Sequence, residues 1–126
     1  MRRSNLYLGN LGEEAALEFL KASGYKILAR NYKSKLGEID IIAADKDTVC
    51  FIEVKARASD RFGLPQEALS GFKQRQISKA ALGFLKDKKL LEKRARFDVI
   101  ALTYQKGSPK IELIKDAFEL SPEFTY

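Results

Sequence analysis

The segment Val49–Ala56 constrains the fold more than any other part of the chain. It opens with four consecutive apolar residues and is rich in residue types that favour β-strands. A strand with one face in water alternates polar and apolar residues, whereas a strand buried on both faces is apolar almost continuously. The segment therefore predicts a central strand in a sheet flanked by helices.

The other segments predict two helices and four further strands. Apolar residues recur at helical spacing in the helices, and β-rich runs between turn residues predict the strands. The predicted elements are, in order, helix Leu6–Ser23, strands Tyr25–Tyr32, Glu38–Ala44 and Val49–Ala56, helix Ser70–Lys88, and strands Arg96–Tyr104 and Ile111–Lys115. We expect an α/β fold of order αβββαββ with a mixed central sheet of about five strands. The first three strands form an antiparallel meander, and the second helix crosses over to the fourth strand.

Length and composition favour one folded domain over residues 1–126. Hydrophobic residues make up 45% of the chain and charged residues 32%, which is typical of a globular protein. No apolar run approaches the roughly 20 residues that span a bilayer. Residues Met1–Asn5 are basic without the apolar core of a signal peptide, so we expect a cytoplasmic protein with no membrane partner. Segment 116–126 is either a flexible or docking tail or packs on its own domain.

The absence of histidine removes several kinds of chemistry. Catalytic triads built on histidine and the usual histidine and cysteine zinc sites are excluded. The single cysteine, Cys50, lies in an apolar stretch, and we expect it to be a buried small side chain. A metal would have to bind through carboxylates and carbonyls, which favours a hard ion such as Mg²⁺ or Mn²⁺.

The charge balance suits a phosphate-rich partner. The chain has 23 Lys and Arg residues against 17 Asp and Glu residues, a net charge of +6. Such a surface attracts nucleic acid, although many basic proteins bind none.

Acidic and basic side chains interrupt the predicted central strands. Glu53 and Lys55 are two residues apart and share one face with Phe51. Asp40 lies mid-strand, at a similar distance from the intervening turn, so hairpin pairing would bring it near Glu53. Two carboxylates beside a lysine form a site for a hard cation and an anionic substrate. The same residues fit a structural salt bridge or solvated charges equally well.

Weaker candidates surround this group. Glu13 falls on the inner side of the first helix, in line with Ala16 and Leu20, but Asn10-x-x-Glu13 also fits a capping box. The candidate phosphate contacts are Gln74 and Lys73 at the start of the second helix, together with Arg57, Arg61, Lys33 and Lys35. Each of these also fits a merely solvated side chain. Asp98 is a mid-strand acid that we expect to pair with a lysine or arginine in the sheet.

These residues resemble a known signature. Asp40, separated by twelve residues from Glu53-Val54-Lys55, resembles the PD-(D/E)xK nuclease motif, and more closely the whole chain resembles the YraN family. The segments that carry the resemblance are Gly12–Glu13 with Ala16, Gly24–Tyr25, Asn31–Tyr32, Gly37–Asp40, Phe51–Arg57, Lys73–Gln74 and Arg96–Val99.

The resemblance implies a restriction-endonuclease-like fold similar to the Holliday junction resolvases. In those enzymes a glutamate on the first helix joins the aspartate, glutamate and lysine at the metal site, which implies that Glu13, Asp40 and Glu53 bind the metal and act with Lys55. Such resolvases cut branched DNA as dimers, so the resemblance also implies a homodimer. The competing functions are a DNA-binding module that cuts slowly or not at all, and an interaction subunit of a DNA-processing complex.

Overall fold

The computed structural model describes residues 2–57, 69–104 and 109–121, with side chains described from residue 12 onward. The elements are α1 (Arg2–Ala22), β1 (Lys26–Ser34), β2 (Gly37–Asp45), β3 (Thr48–Arg57), α2 (Gly71–Asp87), β4 (Arg94–Tyr104) and β5 (Pro109–Phe118). This order, αβββαββ, confirms the predicted α/β class and is consistent with a restriction-endonuclease-like core. No helix in the described ranges is long and apolar enough to cross a membrane.

The five strands form one mixed sheet in the order β1-β2-β3-β4-β5. Strands β1, β2 and β3 form an antiparallel meander, β4 lies parallel to β3, and β5 lies antiparallel to β4. The predicted central position of β3 is therefore confirmed. Because α2 connects two parallel strands, it must run back along the sheet, and its first turn lies near the end of β3.

Apolar side chains on the two faces of the sheet form two core layers. The α1 layer joins α1 to one face of the sheet through residues such as Leu20, Ile52 and Leu102, all fully buried. The α2 layer joins α2 to the opposite face, where Phe51 contacts the rings of Phe84 and Phe97. Each such buried side chain contributes about 1.5–3 kcal/mol to stability. Cys50 is buried, as predicted, and lies in the α1 layer, where burial raises the pKa of its thiol to about 12.

Besides the register shift between Ile27 and Ala29 of β1, the side-chain alternation breaks at a position that β1 and β2 share. In a regular strand Ile39 and Ile41 would share a face, but Ile39 belongs to the α2 layer and Ile41 to the α1 layer. The register places Asn31 of β1 opposite Asp40, and Asn31 has a positive φ of 49°. The left-handed backbone at Asn31 turns the outer half of the hairpin toward α2. Asp40 lies opposite Asn31, at the point where the hairpin turns.

The tip of this hairpin packs tightly on α2. A Cβ on Gly37 would lie 2.7 Å from the carbonyl oxygen of Gln76, and a Cβ on Gly83 would lie 2.9 Å from the side chain of Leu36. Only glycine allows the first approach, because the neighbouring oxygen belongs to the backbone, whereas a Cβ at position 83 would require only the exposed side chain of Leu36 to move. The hairpin and α2 are thereby held at a short, fixed distance.

Several element ends differ from the predictions. Helix α1 begins at Arg2, so Glu13 is in the helix interior and the capping-box interpretation of Asn10 and Glu13 is wrong. Helix α2 begins where predicted, because the Ser70 side chain accepts a hydrogen bond from the backbone N–H of Lys73.

The described part of the C-terminal segment packs on its own domain. Strand β5 continues to Phe118, which stacks on Phe97 at a centroid distance of 4.8 Å. Leu120 packs against the α2 layer, and the backbone N–H of Ser121 donates to the Ser78 hydroxyl. Residues 122–126 lie outside the described ranges.

Asp98 has the basic partner that the sequence predicted. Its carboxylate is fully buried and accepts two 3.0 Å hydrogen bonds from the Nε of Arg96 and one from the backbone N–H of Asp116. Arg96 also donates to the Tyr25 hydroxyl and to Asp45. This network connects β4 to β5, to the end of β2 and to the start of β1, at the end of the sheet opposite the hairpin tip. We assign it a structural role.

Candidate metal and phosphate site

Asp40 and Glu53 lie side by side on neighbouring strands. The last regular pair between β2 and β3 on this side is Ile41 with Ile52, so the next residues along are Asp40 and Glu53. The Oδ2 atom of Asp40 accepts a 2.8 Å hydrogen bond from the backbone N–H of Val54. The carboxylate thus accepts a backbone hydrogen bond from β3 at the point where the regular pairing of β2 with β3 ends.

Of the two carboxyl groups, Glu53 has the pKa that is shifted further from its ordinary value. Its side chain is only 5% exposed, and it lies on the face of Phe51, toward α2. Burial and, secondarily, the neighbouring Asp40 raise its pKa to about 7, although Lys73 and Lys55 lower it. Its Oε1 atom is buried and has no hydrogen-bond partner among the described residues. A buried oxygen of this kind is costly unless a ligand satisfies it.

Asp40 is held by a backbone N–H and by the charges of two lysines. Burial raises its pKa above the ordinary value, whereas the Val54 N–H, Lys73 and Lys55 lower it. The strong hydrogen bond to the backbone fixes the orientation of the carboxylate. The remaining oxygen, Oδ1, is the atom through which Asp40 could bind a cation.

Two lysines approach the acids from different elements. Lys73 of α2 places its Nζ 3.8 Å from Oε2 of Glu53. Lys55 of β3 is near enough to lower the pKa of both acids, but it forms no ion pair with a described side chain. The direct partner of Glu53 is therefore Lys73, not the neighbouring Lys55 that the salt-bridge interpretation required.

Glu13 approaches the same region from α1. Its Oε1 is buried without a hydrogen-bond partner among the described residues. Burial and then Asp40 raise its pKa, and Arg30, which forms a 2.6 Å ion pair with Glu14, lowers it. The structure thus brings Glu13 into electrostatic contact with Asp40. Among the described side chains, however, no three acidic groups are close enough to enclose a metal ion together.

The donor set nevertheless fits a hard divalent ion. Mg²⁺ is commonly bound by one or two carboxylates and completes its octahedron with waters and substrate phosphate oxygens. Asp40 and Glu53 supply that number, and the buried, unpartnered Oε1 of Glu53 is the oxygen that lacks a ligand. The Oε1 atom of Glu13 is the other buried oxygen without a partner among the described residues. These are the residues that would hold the ion.

The remaining candidates are dispersed around the site. The amide of Gln74 donates to the backbone carbonyl of Leu69 at 3.0 Å, so it braces the start of α2. Arg57 donates to the Thr103 hydroxyl at 3.2 Å. Lys33 and Lys35 are exposed on the hairpin of β1 and β2. Arg61 lies outside the described residues.

Lys73 was proposed from sequence only as a phosphate contact, and its pairing with Glu53 was missed. A signal was present in the topology. The crossover from β3 to the parallel β4 places the first turn of α2 on the side of the sheet where β3 ends, and Glu53 lies in the second half of β3. A lysine in that turn is therefore within reach of Glu53.

The comparison with known proteins places this arrangement in a family. Residues 12–102 match the uncharacterised protein family UPF0102. The chain belongs to the UPF0102 family. A UPF0102 protein of Syntrophus aciditrophicus is 52% identical over 117 residues, covering 93% of this chain and 92% of the relative. One from Geotalea daltonii is 52% identical over 121 residues, covering 95% of each, and one from Caldicellulosiruptor saccharolyticus is 47% identical over 113 residues, covering 88% and 96%.

The family match confirms the resemblance found in the sequence, since UPF0102 is the YraN family. The matched range includes Glu13, Asp40, Glu53, Lys55 and Lys73, and it spans every element from the second half of α1 into β4. The alignments with these UPF0102 relatives cover nearly the whole of this chain.

Proposed function

We propose that this UPF0102 protein is a metal-dependent endonuclease that hydrolyses phosphodiesters in branched or structured DNA. The observation that carries the proposal is the pairing of Asp40 with Glu53, whose buried Oε1 lacks a partner among the described residues. An unsatisfied carboxylate next to a second carboxylate is unfavourable for stability and favourable for binding a cation. A purely structural sheet would gain stability by replacing Glu53 with a neutral side chain.

The proposed roles follow from the surroundings of each side chain. Asp40 and Glu53 bind Mg²⁺ or Mn²⁺, which when bound supplies Lewis-acid activation of phosphate and water. Lys55 has no ion pair among the described residues, so its ammonium group is available to orient water or to neutralise charge developing on the phosphate. Glu13 positions a water on the α1 side.

The proposed substrate and partners rest on charge and resemblance. The net charge of +6 favours a polyanion, and Lys33, Lys35, Lys73 and Arg57 supply phosphate contacts around the acids. The resemblance to Holliday junction resolvases favours branched DNA, a homodimer and a cytoplasmic location. No described element resembles a helix that reads the major groove, so we expect weak sequence preference.

The decisive experiment incubates the purified protein with four-way junction, flap, single-stranded and duplex DNA. Each substrate is tested with Mg²⁺, Mn²⁺ or EDTA. We expect metal-dependent cutting of the junction or flap, and an affinity that weakens steeply as salt rises, because each phosphate contact releases cations from DNA. Asp40→Asn and Glu53→Gln should lose metal binding and cutting together.

Lys55→Ala separates catalysis from metal binding. It should abolish cutting while calorimetry shows unchanged or tighter Mg²⁺ binding, because a positive charge beside the cation is removed. Lys79→Ala, which removes an exposed lysine of α2, is the matched control and should cut normally. Tight junction binding without cutting by the unaltered protein would support the DNA-binding module instead. Absence of DNA binding at low salt would support an interaction subunit.

A further inference from the structure

Lys73 makes an unusual contact for a lysine near a buried carboxylate. Its Nζ lies 3.8 Å from Oε2 of Glu53, a separation longer than a hydrogen bond. The other oxygen, Oε1, has no partner among the described residues. The ammonium group therefore compensates the charge of Glu53 without forming a hydrogen bond to it, and it leaves Oε1 without a partner.

The position of Lys73 makes this contact reversible. Its backbone is fixed, because its N–H donates to the Ser70 side chain that caps α2. Its side chain is 40% exposed, whereas that of Glu53 is 5% exposed. Only the flexible side chain has to move for the ammonium group to leave Glu53 for solvent or for a phosphate.

Lys55 does not share this arrangement. It lies on the same strand as Glu53 and influences both acids, but it forms no ion pair with a described side chain. The two lysines thus differ in what they contact. One neutralises Glu53 from α2, and the other remains beside the acids on β3.

We propose that Lys73 is a tethered cation that neutralises Glu53 until a divalent ion displaces it. The inference rests on the proposed function in one respect, since it requires a divalent ion at Asp40 and Glu53. Lys73 then lowers the affinity for that ion, and its displaced ammonium group becomes free to contact substrate phosphate. Metal binding and phosphate recognition are in this way coupled through one side chain.

The test compares Lys73→Gln with Lys79→Gln, a control that removes the same charge from an exposed position of the same helix. Mg²⁺ is titrated by calorimetry and by thermal shift without DNA. Lys73→Gln should bind Mg²⁺ about threefold to tenfold more tightly than the unaltered protein, since a competing charge has been removed. Lys79→Gln should bind with unchanged affinity.

Acylation of the unaltered protein tests the displacement itself and does not depend on a variant that folds. Mass spectrometry follows the rate at which an amine-reactive ester modifies each lysine. Mg²⁺ should accelerate modification of Lys73 and leave that of Lys79 unchanged.

Two results would overturn the inference. Mg²⁺ binding to Lys73→Gln with unchanged or weaker affinity, or Lys73 acylation that Mg²⁺ leaves unaltered, would refute the tethered cation and leave the proposed nuclease intact. If neither the unaltered protein nor Lys73→Gln binds Mg²⁺ or Mn²⁺, the metal site and the proposed function fail with it.

Discussion

Replacing Glu53 by glutamine should stabilise the metal-free protein at alkaline pH. In the folded state the pKa of Glu53 is about 7, against an ordinary value of 4.5. As pH rises from 4.5 to 7, the unfolded chain releases this proton before the folded chain does, so ionisation reduces the stability of the fold in that window. The reduction is complete above pH 7 and absent below pH 4.5.

The expected magnitude follows from the difference between the two pKa values. At about 1.4 kcal/mol per pKa unit, ionised Glu53 reduces stability by about 3 kcal/mol at pH 8. Glu53→Gln escapes this loss, so its melting temperature at pH 8 should exceed that of the unaltered protein by roughly 10 °C. Near pH 4.5 the two proteins should melt at similar temperatures.

Thermal melts in EDTA, from acid to alkaline pH, measure this difference directly. Glu18→Gln on the exposed face of α1 is the matched control, and its melting curve should follow that of the unaltered protein at every pH. Mg²⁺ should raise the melting temperature of the unaltered protein at pH 8 and leave Glu53→Gln unchanged. A Glu53→Gln variant that is less stable at pH 8 would refute the reasoning, because it would show that the ion pair with Lys73 outweighs the burial of the charge.

Three further substitutions test individual contacts by urea unfolding. Asp40→Ala should be about 1–3 kcal/mol less stable than Asp40→Asn, because only asparagine still accepts the Val54 N–H; equal stabilities would contradict the importance of that bond. Arg96→Met should destabilise by about 3–5 kcal/mol, because it leaves the carboxylate of Asp98 buried without its cation; a loss under about 1 kcal/mol would mean that Asp98 is satisfied by the backbone alone. Gly37→Ala should cost about 1–3 kcal/mol, since its Cβ would lie 2.7 Å from a backbone oxygen of α2; a neutral result would show that the hairpin tip moves freely.

The sequence predicted the elements well where the periodicity was continuous. The apolar start of β3 indicated its central position, and Ser70 indicated the start of α2, because both depend on local residues alone. The first turn of α1 was missed because its residues carry no apolar periodicity. The sequence also missed the last residues of β5, which continues beyond Lys115 to Phe118. Asp116 has a positive φ and interrupts the strand pattern.

The candidate site was only partly predictable. Turn distances placed Asp40 opposite Glu53, since the strands on either side of a short hairpin are antiparallel. The contact of Lys73 with Glu53 depends on how α2 packs across the sheet, which no local pattern encodes. The hydrogen bonds that Arg96 donates to Asp45 and Tyr25 likewise depend on tertiary packing.

The rotation of the hairpin at Asn31 and Asp40 places the candidate site where the chain passes from the α1 layer to the α2 layer. Ile41 and Ala43 of the hairpin pack in the α1 layer, whereas the hairpin tip packs only on α2 among the described contacts. Because a side-chain carboxylate holds the Val54 amide in place of a strand carbonyl, that amide is protected only while the two layers stay in register. The hydrogen-exchange rate of the Val54 amide therefore reports whether the contact between the two strands at Asp40 is intact. A substitution at the distant hairpin tip should accelerate exchange at Val54 before it affects the amides of the central strands.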